Sequence, residues 1–443
     1  MIKDVENARW RDVIAAALNL DVQDLSLKLL AAGVNNSVYY VSLTNPYSNQ
    51  SLTDSRELIL RVPATGKSLM SYGAIGNAQI KNRFATFAKS GYSPQLVDVD
   101  LPDGGILCEY IAGRPAKSPD DLSLITGSLA ALHTSDNACV SSNRHPQATK
   151  QNTISHATML KVIAERMKLL DDVNFSDGGR GMGINKASCK LIRQLTENCM
   201  RAPITNIDAY EQNSSTLMLP ILKDANPSNF IIADSSADII TDINADLNAD
   251  LNASSSKVAN AERAMVVDIE GDFYGLPIID VGHSSLFSAS MWAYEGITPL
   301  AATDILGLYE EYYHRLNERL NDRSDDRLNE RSDERLNERS DERLNERSDE
   351  RLNDRSDERS DDRLPELHGS KLAKHTMPPS DIILSIRYAT LGRCLGWMLM
   401  LIYLAEVKGV ATPQDKLERA RLILSPEKLH LAMDSEQEIS KLL

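Results

Sequence analysis

The segment from Leu219 to Gly282 constrains this chain more than any other. It reads Leu-Pro-Ile-Leu-Lys-Asp-Ala-Asn-Pro-Ser-Asn-Phe-Ile-Ile, then a polar interruption, then Met-Val-Val-Asp-Ile-Glu-Gly-Asp-Phe and Ile-Ile-Asp-Val-Gly. Asp224 ends a short apolar run, and Asn229 follows five residues on, with Pro227 stiffening the loop between them. Phe230, Ile231 and Ile232 read as a buried strand, and Met265, Val266 and Val267 as its partner. A hairpin of this kind carries Asp224, Asn229 and Asp268 to one mouth. An Asp that can accept a proton, beside an Asn and an Asp offering oxygens, suits a Mg–nucleotide site.

Asp-x-x-Pro-x-Asn at 224–229 followed by Asp-x-Glu at 268–270 resembles the catalytic loop and metal-binding segment of the aminoglycoside phosphotransferase and choline kinase family. These are small-molecule kinases with a protein-kinase-like fold. The resemblance implies that Asp224 is the catalytic base and that Asn229 and Asp268 are Mg2+ ligands. It further implies Glu270 as a second metal contact and Asp280 as an anchor of the C-terminal lobe. The bland alternative is an acid-capped turn between two strands. Family members usually carry His-Gly before the catalytic Asp, whereas here the pair is Leu222-Lys223. Leu222 can replace the His by packing, and Lys223, if close, favours the charged form of Asp224.

Trp10, Val13, Ile14, Ala17 and Leu18 share one helical face within residues 7–18. Leu25, Leu27 and Leu29 alternate as in a strand, and Val38 to Leu43 read as its return. Between them lie Gly33, Asn35, Asn36 and Ser37, a turn that lets backbone amides approach a phosphate. By the resemblance this is the loop over the ATP phosphates. Glu57 to Pro63 read as a third strand with Arg61 in its middle. An unpaired buried charge is very costly, so Arg61 either meets a partner, by resemblance the nucleotide phosphates, or faces solvent from an edge strand. The family pairs this basic residue with a Glu of the next helix, yet 73–94 contains no acid. Gln79 and Asn82 are the polar substitutes there.

Residues 95–113 read as a hairpin about Pro-Asp-Gly-Gly. Its end, Glu109-Tyr110-Ile111-Ala112-Gly113, resembles the hinge that holds adenine through backbone groups, so Glu109, Tyr110 and Ile111 are the expected adenine contacts. Leu122, Ile125, Leu129 and Leu132 then fall at helical spacing before His133, which reads as helix-end structure. Amphipathic stretches follow at 158–171 and 188–200. The glycine-rich run 178–183 lacks a Gly-Lys-Ser/Thr ending and follows no strand, so it reads as a loop.

Two low-complexity stretches, 234–258 and 315–363, interrupt the pattern. The second repeats Arg-Leu-Asn-Glu-Arg-Ser-Asp-Glu and holds 13 arginines against 18 acids. Its leucines recur every eight residues and drift ~80° around a helix per repeat, so no coiled-coil seam forms. It reads as a tolerated expansion or an interaction arm. Asp381 to Val407 read as a buried helix bent near Gly392–Gly396, and Pro413 to Leu443 as an amphipathic helix and a short closing one.

A chain of 443 residues exceeds one ordinary core. The expected fold is therefore α+β and bilobal, protein-kinase-like. Its small antiparallel-sheet N-lobe spans 1–111 and its larger, mostly helical C-lobe spans 112–443. The formal charge of −15 speaks against nucleic-acid partners. Five scattered cysteines fit a reducing compartment. The acidic N-terminus does not resemble a secretion signal. The longest greasy run, Cys394–Ala405, is short of the ~20 residues a bilayer needs, so no membrane partner is expected. These features place the protein in the cytoplasm. The expected reaction uses ATP and Mg2+ and moves the γ-phosphoryl group to a hydroxyl of a small molecule. The rival reading is a nucleotide-binding pseudokinase or scaffold that uses the charged repeat as an arm. No Asp-Phe-Gly or Ala-Pro-Glu segment points to a protein kinase.

Overall fold

The structure is a computed structural model. It describes residues 2–32, 36–43, 57–63, 77–117, 120–135, 153–154, 156–170, 184, 186–201, 219–234, 262–269, 273–285, 300–321, 379–410 and 412–443. Most of the first low-complexity stretch, most of the charged repeat and the glycine run 178–183 lie outside these residues.

The first helix, α1 (Ile2–Leu18), buries Trp10, Ile14 and Leu18. Strands β1 (Leu25–Ala32), β2 (Asn36–Leu43) and β3 (Glu57–Pro63) follow, with the alternating burial that a half-covered sheet demands. Helix α2 (Asn77–Ala88) precedes β4 (Ile106–Glu109), which completes a four-stranded antiparallel sheet in the order β1-β2-β3-β4. Its register sets Val38 beside Arg61 and Leu58 beside Glu109. The expected hairpin at 95–113 is corrected in its first half. Residues 95–100 run beside β4 through one isolated bridge, Leu96–Cys108, and are not a strand. A tight turn, in which Val99 N donates to Val97 O, takes the backbone out of ladder geometry.

Strand β5 (Gly113–Pro115) leads into α3 (Leu122–His133). Then come β6 (Thr153–Ile154), α4 (His156–Met167) and α5 (Lys186–Arg201). Strands β7 (Leu219–Ile221), β8 (Phe230–Ala233), β9 (Arg263–Val266) and β10 (Phe273–Gly275) complete two small sheets, ordered β6-β10-β7 and β5-β8-β9. Phe230 pairs with Val266 and Ile231 with Met265, the partnership read from the sequence. Gly113 sits in this second sheet at φ +157, where a Cβ would lie 2.1 Å from Ile232 O. Only glycine lets β5 approach β8 so closely.

The remaining elements are helical: α6 (Ile278–Ser285), α7 (302–321), α8 (Pro379–Val407), α9 (Gln414–Ile423) and α10 (Pro426–Leu442). Helix α7 runs into the start of the charged repeat, because Leu316 and Leu320 are buried there. The bend expected in α8 is a π-wound stretch, Tyr388–Leu395, inside a continuous helix. At 29 residues α8 is long and apolar enough to cross a membrane by length and composition, and over half of its apolar window is buried in the protein. The closing helix α10, with 17 residues, is longer than α9 rather than shorter.

Two large apolar cores result among the described residues, beside a small cluster of Ile111, Ala233 and Met265. Trp10, Ile14, Tyr39, Val41, Leu58 and Leu60 belong to one, under the four-stranded sheet. The other gathers α3 to α10 around the two small sheets, and α2 contributes Phe84 and Phe87 to it.

Candidate active site

The site is built on the chain that leaves β7. Leu222 is buried in the larger core. Lys223 takes φ +68, a left-handed conformation that costs a side-chain-bearing residue about 1 kcal/mol or more. A fully buried carboxylate offsets that strain. Asp280 of α6 accepts Leu222 N at 2.6 Å and Lys223 N at 2.8 Å. Its remaining capacity is met by His133 Nε2 at 2.9 Å, and His133 Nδ1 lies 2.6 Å from the Tyr312 hydroxyl. Burial pushes the Tyr312 phenol well above its ordinary range, so it stays protonated and donates. A neutral imidazole satisfies both contacts, with Nε2 donating to the carboxylate. Asp280 and His133 are thus placed as the structural residues the sequence reading took them for.

The loop then turns. Asn226 caps it by accepting Ser228 N at 3.0 Å, and Pro227 opens a single 3₁₀ turn, Pro227–Asn229. Asn229 Nδ2 donates to the backbone oxygen of Asp224 at 2.9 Å, a bond that does not use the acceptor Oδ1. Asn229 O accepts Val267 N at 2.9 Å, so the β8–β9 ladder runs one step further and delivers Asp268 to the same end. The structure thus brings Asp224, Asn229 and Asp268 together at one hairpin mouth.

Arg61 faces this group from the four-stranded sheet. It lies on β3, an inner strand, and is buried, so the edge-strand alternative does not hold. Its Nη2 pairs with Asp268 Oδ1 at 2.7 Å, and Nη1 donates to Ile269 O at 2.6 Å. The Asp268 side chain is still 40% exposed. The acid missing from α2 is therefore matched by an acid from the far side of the site. Helix α2 instead buries a cation of its own, Arg83, which stacks on Tyr274 at 4.6 Å and donates to Phe273 O.

Lys223 is buried with its ammonium 4.0 Å above the Phe273 ring. His283 of α6 stands beside Asp224, with Nδ1 3.3 Å from Asp224 Oδ1. Sequence reading missed His283, although its place three residues after Asp280, one helical turn away, was a usable signal.

The other expected contacts are placed less completely. Asn36 and Ser37 open β2 opposite Pro63 and Val62, at the Arg61 end of the sheet. Gly33, Asn35 and Glu270 lie outside the described residues. Glu109 ends β4 opposite Leu58, three residues and ~10 Å along β3 from Arg61. The N–H groups of Glu109 and Tyr110 are taken by Gln95 O at 2.9 Å and Glu57 O at 3.1 Å. Burial raises the Glu109 carboxyl above its ordinary value. Ile111 is buried against Ala233 and Met265.

No protein-family model and no curated protein matches this sequence. Among solved structures, the choline kinase of Cryptosporidium parvum Iowa II superposes with a TM-score of 0.54, covering 99% of this chain and 97% of that one at 11% identity. The chain has the fold of a choline kinase. A choline/ethanolamine kinase family protein from Mesorhizobium loti gives 0.47 at 15% identity, covering 99% and 100% of the two chains. An aminoglycoside phosphotransferase from Alicyclobacillus acidocaldarius gives 0.41 at 10% identity, covering 95% and 96%. The α+β architecture expected from the sequence is the one observed, with a small antiparallel sheet and a helical part. In this choline-kinase fold, the loop of Asp224, the β8–β9 end and Arg61 of β3 meet at one place.

Proposed function

We propose that the chain transfers the γ-phosphoryl group of ATP to a hydroxyl of a small molecule. The observation that carries this reading is the meeting of Asp224, Asn229 and Asp268 at one hairpin mouth, faced by Arg61 across the site. Residues through 111 would form the nucleotide-covering lobe and those from 112 the lobe that holds the acceptor.

Each side chain has a role in that reaction. Asp224, with its side chain 26% exposed, orients the acceptor hydroxyl and takes its proton. Arg61 steadies phosphate oxygens, helped by the amides of the 33–37 loop. Glu109 to Ile111 lie far enough along β3 from Arg61 for a nucleotide to stretch between them. Mg2+ is a hard cation that takes oxygen ligands and needs only one or two from the protein when phosphates supply more. Asn229 and Asp268 meet that demand, with Glu270 as a further candidate. Among the described residues no three His, Cys, Asp or Glu side chains converge, so a metal held entirely by protein is not indicated there. Bound Mg2+ neutralises the charge of the phosphates, and positioning by the chain supplies the rest.

The proteins that share or approach this fold include choline and ethanolamine kinases by name, so those two alcohols are the first acceptors to try. Spectinomycin and a macrolide follow from the names of further neighbours. A resistance role is not implied by the fold. One observation favours a second reading, nucleotide binding without transfer: Arg61 pairs with Asp268, where the family has a helix Glu.

Mg–ATP turnover against this panel, beside an Asp224→Ala variant, separates the two. Acceptor-dependent ADP release that falls by about 10²–10⁴-fold in the variant supports the kinase. Nucleotide binding without turnover on any acceptor supports the second reading. Absence of nucleotide binding removes both.

A further inference from the structure

We propose that His283 is a positioning residue for the Asp224 carboxylate, an inference that rests on the phosphotransferase reading above. Neither the Asp-x-x-Pro-x-Asn nor the Asp-x-Glu signature includes it. It arrives from α6, a helix that the chain reaches only after leaving the β8–β9 hairpin.

Asp280 and His283 stand one turn apart on α6 and so project from the same face. Asp280 holds the peptide N–H groups of Leu222 and Lys223, and His283 Nδ1 stands 3.3 Å from Asp224 Oδ1. A single helical turn therefore fixes the backbone that enters the loop and the carboxylate at its tip. The turn itself is firmly seated. A Cβ added to Gly282 would lie 3.0 Å from the Tyr309 hydroxyl and 3.1 Å from Ser385 O, so α6 lies tight against α7 and α8. A histidine carried on such a helix has little freedom to move away from Asp224.

Burial divides the pair. The His283 side chain is 7% exposed and that of Asp224 is 26% exposed. An incoming hydroxyl can touch the carboxylate, while the imidazole stays behind it and acts through it. At 3.3 Å the two groups are within ion-pair reach, and Nδ1 makes no hydrogen bond of good geometry in this structure. The approach is off the ideal hydrogen-bond line, and contacts of this kind tighten when a ligand fills a site. A displacement of ~1 Å at a reacting group costs about 100-fold in rate, which sets the scale of what a packed imidazole at this distance contributes.

The test compares wild type, Asp224→Ala, His283→Ala and His283→Asn in Mg–ATP turnover with choline, ethanolamine and spectinomycin. Thermal midpoints and ATP affinity are measured alongside. The expected result is a kcat about 100-fold lower in His283→Ala with KM for ATP unchanged. His283→Asn, whose Nδ2 stands where Nδ1 stood, recovers most of the loss. A His283→Ala variant as fast as wild type, in a protein that Asp224→Ala inactivates, overturns the positioning role. So does an Asn variant as slow as the Ala variant, or a loss of rate that merely follows a fall in thermal midpoint and ATP affinity. Wild type inactive on every acceptor overturns the kinase reading itself, and this role with it.

Discussion

The loop from Leu222 to Asn229 and the strand β3 that faces it are fixed in different ways. The loop is held from behind and from within: Asp280 takes two of its N–H groups, Asn226 caps its turn, and Asn229 ties back to Asp224. The central acceptor of that set, Asp280, is fully buried. Strand β3 meets the site through the Arg61 guanidinium, and the carboxylate it reaches is 40% open to solvent. Bonds in a buried, low-dielectric setting persist, whereas an ion pair at a solvent-facing edge is screened. The acid-bearing half is thus pre-organised, and the cation-bearing half is joined to it by a contact that salt and phosphates can compete for.

That contrast can be broken at its strong end. Asp280→Ala strands the His133 imidazole and two buried N–H groups, and each buried polar group left unsatisfied costs about 1–3 kcal/mol, about 3 kcal/mol or more together. Urea unfolding should show the lowered midpoint, and a loss below ~1 kcal/mol would mean the clamp is not what holds the loop. Arg61→Met strikes the weaker link. Asp268 is well exposed, but Ile269 O also loses the donor that Arg61 gave it, so the expected loss is about 1–2 kcal/mol, and the ion-pair part of the gap from wild type should narrow in 1 M salt. A loss as large as that of Asp280→Ala would erase the distinction between the two halves.

The smallest effect belongs to the segment between β5 and α3, where Asp121 accepts from Arg114 at 2.6 and 2.8 Å and from Lys117 N at 2.6 Å. The Arg114 hydrogen bonds hold the Asp121 carboxyl below its ordinary value of 3.8. A depressed folded-state value stabilises the native chain above the unfolded value, and the benefit fades as pH falls through the folded one. Asp121→Asn should therefore lower the urea midpoint modestly at pH 7 and converge with wild type in acid below the ordinary carboxylate value. A difference that stays constant with pH would assign the effect to packing instead.

Much of the fold was legible in the chain. The alternation in β1 to β3, the spacing of α3, and the β8–β9 partnership follow from local patterns, because period and strand burial are properties of neighbouring residues. The first half of the expected hairpin at 95–113 failed because a backbone turn at Val97–Val99 outweighed the strand pattern. The same division runs through the site. Asp224 and Asn229 lie in one loop, and Asp268 joins them by continuing a ladder already readable as a hairpin, so five-residue spacing and strand pairing locate all three.

The sequence by itself determined the acid-bearing loop and the sheet that faces it. Tertiary structure alone decided what secures them. Arg61 finds Ile269, 208 residues away, and Asp280 finds Leu222 across 58. Lys223 turns onto Phe273, and His283 takes the place beside Asp224. Contacts of such separation leave no period or spacing in the chain. They are settled only when the two cores close and each buried charge or N–H group must find a partner.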